Sequence, residues 1–128
     1  MPVAVTFTSF IRLGAFCALL LLYSCAGSRF TEEGKASYYS NKLAGRKMAN
    51  GEKYNPKKLT AAHKTLPFGT RIKVTNLETK KSVKVKVTDR GPFTPGRIVD
   101  LSYSAADKLS IIQAGVAPVK LKVVNSKK

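Results

Sequence analysis

Hydrophobic and polar residues alternate along two stretches of the chain. In Thr70 to Asn76, Ile72 and Val74 fall on one side while Arg71 and Lys73 fall on the other; Val83, Val85 and Val87 then alternate with Lys84 and Lys86. A period of two is that of a half-buried strand, and residues 76–81 join the two runs as an antiparallel hairpin. Three more stretches read as strands: the aromatic-rich Lys35 to Ser40, Gly96 to Leu101, and Pro118 to Val124, where Val119, Leu121 and Val123 share a face. Leu59 to His63 is a brief apolar run. Ser104-Ala105-Ala106-Asp107 has the form of a capping box and opens a short helix through about Ser110. Between Asn41 and Lys58, Gly45, Asn50-Gly51 and Asn55-Pro56 punctuate the chain, which predicts a long ordered loop of the kind that carries function. Five or six short strands and one helix predict an all-β domain, which most easily hides its strand edges by closing into a barrel.

The N-terminal pattern differs. Residues 13–22 are uncharged and apolar, preceded by Arg12 and the terminal amine, which is the make-up of a signal-peptide core. A permanent membrane span is the weaker reading, because the uncharged run falls short of the roughly 20 residues that a bilayer requires. The chain is therefore expected to be exported. Leu22-Tyr23-Ser24-Cys25 resembles a bacterial lipobox, with Tyr23 where a smaller residue is usual. Lipidation of Cys25 gives a signal peptide over 1–24 and a tether over 25–33, followed by a barrel domain over 34–125 and a tail over 126–128. Cleavage after Gly27 would leave a soluble secreted protein. The other cysteine, Cys17, lies in the removed segment, so the domain holds no disulfide.

The 128 residues suit one domain, and 23 Lys and Arg against 7 Asp and Glu give a formal charge of +16, which attracts something anionic. Nucleic acid is the poorer match, since no stacking aromatics interleave with the basic residues and the export signal argues against it. One His, with no Cys after residue 25, leaves only scattered carboxylates as ligands. No metal or cofactor is expected.

The candidate chemistry centres on Val87 to Phe93, where a strand ends in Asp89-Arg90 ahead of Gly91-Pro92. An acid there is held by the sheet yet exposed at its rim. By itself, Asp89 reads first as a turn-forming or ion-paired residue and only second as an acid catalyst, and Glu52, just after Asn50-Gly51, as a solvated turn residue. His63, the lone histidine, is either a hydrogen-bonded structural group or a group orienting Glu52 or Asp89. Asp100 caps the following helix or holds Arg90, with substrate contact as the alternative. Tyr38 and Tyr39 point to opposite faces, so at most one lines a groove, and Tyr39 is the choice; Met48 and Phe93 read as packing residues.

Five segments together, GKASYYS, GRKMANGEKYN, LTAAHKTLPFGTRIKVTN, VTDRGPF and GRIVDLSYSAA, closely resemble the rare lipoprotein A family over about residues 34–124. The resemblance implies a six-stranded double-psi β-barrel with one or two short helices, related to expansins and barwin. It also implies a monomeric, cofactor-free endolytic lytic transglycosylase that cleaves peptidoglycan glycan strands, including those lacking stem peptides, in the bacterial cell envelope. Under it the acidic pair falls on Glu52 and Asp89 and the motif histidine on His63, with Tyr39, Arg90 and Asp100 as substrate contacts. Tyr38 and Ser40 stand where a Trp two before a Gly is common, and Met48 where Thr is common. In such an enzyme the sugar's own C6 hydroxyl attacks the anomeric carbon, so one carboxyl, Asp89, serves as acid and then as base. Arg90 and the positive field favour its ionised form, and a nearby Glu52 would oppose that. A non-catalytic glycan-binding or wall-loosening module, like some expansin relatives, is the alternative.

Overall fold

The computed structural model describes residues 29–125. The expected signal peptide, Cys25 and the 126–128 tail lie outside the described residues. Within them the alternation works out as read: six strands, β1 (Thr31–Tyr38), β2 (Thr60–Ala62), β3 (Arg71–Asn76), β4 (Ser82–Asp89), β5 (Arg97–Leu101) and β6 (Ala117–Asn125), accompany one helix, α1 (Tyr103–Lys108). A single 3₁₀ turn occupies Asn41–Leu43. No described helix is long and apolar enough to cross a membrane.

The strands close in the order β1-β5-β2-β4-β3-β6. β1 with β5 and β2 with β4 are parallel, and the other four pairings are antiparallel. In the β3–β4 hairpin Ile72 faces Val85 and Val74 faces Val83, and β6 continues the layer with Leu121 opposite Val74. These side chains fill the interior with Val87, Val99, Leu101 and Val119, all fully buried. Each contributes roughly 1.5–3 kcal/mol relative to exposure. Leu109 and Ile111, following α1, are equally buried. Gly34 marks a close approach of β1 to β5, since a Cβ there would lie 2.6 Å from Ile98 Cγ2 and 3.3 Å from the Gly96 carbonyl. Every strand of the closed barrel and every described core residue lies between residues 31 and 125, so this segment carries a complete hydrophobic interior, the requirement for a domain to fold alone.

Three details differ from the sequence reading. First, β1 begins at Thr31, inside the stretch read as tether, because its polar residues pair with β6, Glu33 opposite Lys120. Strand pairing across the chain thus overrides a locally polar pattern. Second, α1 starts two residues early: Ser102, not Ser104, is its N-cap, accepting from the Ala105 amide through Oγ at 3.3 Å. Ser102 is fixed there because its own amide donates to the Thr60 carbonyl at 2.8 Å, tying the cap to β2. Third, Phe93 does not pack; it is 80% exposed beyond the left-handed Gly91 (φ 119°) and the cis Gly91–Pro92 bond. Met48, by contrast, is buried as read.

Candidate active site

Asp89, the last residue of β4, holds its carboxylate at the wall of a cleft of about 670 Å³. Three donors reach it. The Tyr39 hydroxyl donates to Oδ2 at 2.8 Å, and the amides of Ala49 and Arg90 both donate to Oδ1 at 2.9 Å. The carboxylate is therefore fixed by its own neighbour along the chain and by two donors 50 and 40 residues away in sequence. Tyr39 is placed by β1, its amide donating to the Leu101 carbonyl at 2.9 Å. Ala49 belongs to the 41–58 loop, which is pinned to β4 by Asn50 N–H on the Thr88 carbonyl at 3.1 Å and by Thr88 Oγ1 on Met48 Sδ at 3.2 Å.

Aromatic and charged groups share the rest of the cleft. Tyr39 and Tyr54 meet edge to face with centroids 5.3 Å apart, and Tyr54's hydroxyl accepts from the Tyr103 amide at 3.1 Å. Burial, followed by the hydrogen bond to Asp89 and the charges of Asp89 and Asp100, pushes the Tyr39 phenol far above its ordinary value. Its proton stays on the oxygen and its role is that of a donor. Burial also raises Tyr54, with the Tyr103 amide partly offsetting it.

This has a measurable consequence. A phenol whose value is raised on folding contributes no pH-dependent loss below about pH 10, where folded and unfolded forms are both protonated. Above that the unfolded chain releases its proton first, so stability falls as pH rises. Absorbance titration is expected to show two tyrosines ionising above the ordinary range, and Tyr39→Phe to remove one of them. Ordinary titration of all tyrosines in the folded protein would contradict the buried donor.

Arg90, although adjacent to Asp89, makes no salt bridge with it among the described residues. Its Nη1 donates to the carbonyls of His63 at 3.2 Å and Leu66 at 2.8 Å, and its guanidinium lies 4.1 Å from the centre of the Phe68 ring. Asp100 pairs with Arg97 at 2.6 Å rather than with Arg90, and both line the cleft. The expected Asp100–Arg90 contact is corrected in this way: Arg97, three residues back on the same strand, is the nearer cation.

Among the described residues neither of the other two candidates has a side-chain hydrogen bond to Asp89, although the His63 amide donates to the Asp89 carbonyl at 3.1 Å. Glu52 sits outside the cleft lining with its side chain 53% exposed, 3.8 Å from Lys86 Nζ. His63 is 3% exposed. Its Nδ1 accepts from the amides of Thr65 at 3.2 Å and Leu66 at 3.1 Å, so the ring proton sits on Nε2 and is donated to Glu32 Oε2 at 2.9 Å. The ring thus ties the 63–66 turn to β1, where an orienting contact with Glu52 or Asp89 was the alternative expected. That turn carries the carbonyls that hold Arg90. Sequence reasoning missed Glu32, whose partner is 31 residues away in sequence, and Tyr54, Arg46, Lys47 and Arg97 in the cleft; GRKMANGEKYN contained three of these four. Among the described residues no three His, Cys, Asp or Glu side chains gather as a metal would need.

A family model described as lytic transglycolase matches residues 31–121. The chain is 54% identical over 95 residues to the endolytic peptidoglycan transglycosylase RlpA of Vibrio cholerae, covering 74% of this chain and 36% of that protein. It is 52% identical over 94 residues to the RlpA of Campylobacter jejuni, covering 73% and 34%. The chain therefore spans about a third of the length of these curated relatives. Among solved structures it resembles the Streptomyces papain inhibitor (TM-score 0.59, 24% identity, 75% of this chain and 96% of that one). It also resembles the apo expansin of Clavibacter michiganensis (TM-score 0.60, 25% identity, 77% and 52%). The match runs from the first barrel strand into the last and takes in every segment that builds the Asp89 cleft, so this chain belongs to the lytic transglycolase family of RlpA-like double-psi β-barrels.

Proposed function

We propose that this protein is an endolytic peptidoglycan lytic transglycosylase in which Asp89 carries the proton transfers. The observation that carries this reading is a single carboxylate held by three donors in an open cleft large enough for sugar rings. In the reaction Asp89 gives a proton to the glycosidic oxygen as the bond to the anomeric carbon breaks. The C6 hydroxyl oxygen of the same sugar bonds to that carbon, and its proton passes to Asp89, which regains its starting state. No water is consumed, and the product ends in a 1,6-anhydro sugar. One acid–base residue suffices, in contrast to the paired carboxylates of a hydrolase.

Tyr39 supports this role by fixing the Oδ2 side of the carboxylate, and the exposed Phe93 offers a flat apolar face for a sugar ring at the rim. Arg46 and Lys47 add positive charge that suits a glycan bearing carboxylates. Glu52, outside the cleft and facing Lys86, takes no part in these proton transfers, and His63 acts through the turn it holds. The substrate reading is peptidoglycan, including strands lacking stem peptides. The protein is exported and anchored by acylated Cys25 at the bacterial envelope, as a monomer.

Mass analysis of peptidoglycan fragments after incubation with the protein tests this. Anhydromuramyl ends are expected. Reducing ends alone would establish hydrolysis instead, and binding without fragments would establish the glycan-binding module of the alternative reading.

A further inference from the structure

The cleft accounts for only part of the positive charge, and the barrel places another share of it on one face. On β4, β3 and β6 the inward positions are Val83, Val85, Ile72, Val74 and Leu121, so the residues between them point out. Those are Arg71, Lys73, Lys84, Lys86, Lys120 and Lys122. Register then sets like charge against like charge at most of them: Arg71 faces Lys86, and Lys73 faces Lys84 on one side and Lys122 on the other, while Lys120 faces Thr75 and, across β1, Glu33. Strands lie about 4.8 Å apart, and like charges directly opposite destabilise a sheet. Among the described residues the only salt bridge to any of the six is that of Lys86 with Glu52, at 3.8 Å.

We propose that this three-strand face is a docking surface for anionic lipid headgroups of the membrane from which the domain hangs. Charge complementarity supplies the attraction. Position selects the membrane over a wall polymer: Thr31 pairs with Lys122, so the chain enters the barrel at the edge of the basic face. Cys25 lies six residues before Thr31, which spans at most about 20 Å when extended. A chain anchored there holds the face within reach of the bilayer. The inference rests on the acylation of Cys25 proposed above and is independent of the chemistry at Asp89.

The test is vesicle co-sedimentation of a soluble form beginning at Ala26. Binding is expected to vesicles containing phosphatidylglycerol and not to phosphatidylcholine alone, and to weaken with added salt. The triple variant K73Q/K84Q/K122Q is expected to bind on the order of a hundredfold more weakly. K53Q/K57Q/K58Q, of the same net charge, is expected to stay within about twofold of the parent. The first triple is also expected to melt a few degrees higher, about 4–8 °C per kcal/mol of repulsion removed, which shows that lost binding is not lost folding. Equal effects of the two triples would reduce the attraction to net charge and overturn the proposal. So would no binding to anionic vesicles, or binding to isolated cell-wall sacculi that is stronger than to vesicles and lost in the first triple.

Discussion

Asp89→Asn is expected to slow glycan cleavage on the order of a hundredfold to ten-thousandfold, the range for removing a group that moves a proton in the transition state. The effect is expected in kcat, with binding retained, because the amide keeps the shape of the carboxyl and its oxygen still accepts from the Ala49 and Arg90 amides. The thermal midpoint should move by only a few degrees. Quantifying anhydromuramyl ends over time, alongside a melt, measures both. Full activity in the variant would remove Asp89 from the chemistry. The matching change at Glu52 is expected to cost less, since its carboxylate is half-exposed and faces Lys86 rather than the cleft.

The second large effect concerns stability. His63→Ala removes the donor to Glu32 and the acceptor of the Thr65 and Leu66 amides in one step. Leaving these groups without partners is expected to cost about 2–4 kcal/mol, a fall of roughly 10–20 °C in melting temperature for a domain of this size. Activity per folded molecule, measured well below the new midpoint, should fall less than in Asp89→Asn. An unchanged melting temperature with activity lost as fully as in that variant would mean that the ring acts on substrate.

The hairpin and the closing strand were legible because their periodicity is local: Ile72, Val74, Val83, Val85 and Leu121 announce one inward face. The start of β1 was not, because Thr31-Glu32-Glu33-Gly34 is polar and becomes a strand only through pairing with β6. The same limit hid the Glu32–His63 contact and the true cap of α1. At the site, the sequence singled out Asp89 and Tyr39, which the fold brings within 2.8 Å, and it raised Arg90 as an electrostatic difficulty. Neighbours along a strand diverge, so the guanidinium turns away from Asp89 to two carbonyls and Phe68. Phe93 was misread because a packed and an exposed phenylalanine look alike in a turn.

The pairing of β1 with β5 and β6 also bears on when the protein can fold. The first strand has no partner nearer in sequence than the fifth, so loop closure across nearly the whole domain must precede its hydrogen bonds. A chain emerging N-terminus first therefore cannot complete its barrel until β6 is available. Until then β1 stays an unpaired edge, open to pairing with the wrong strand or with another chain.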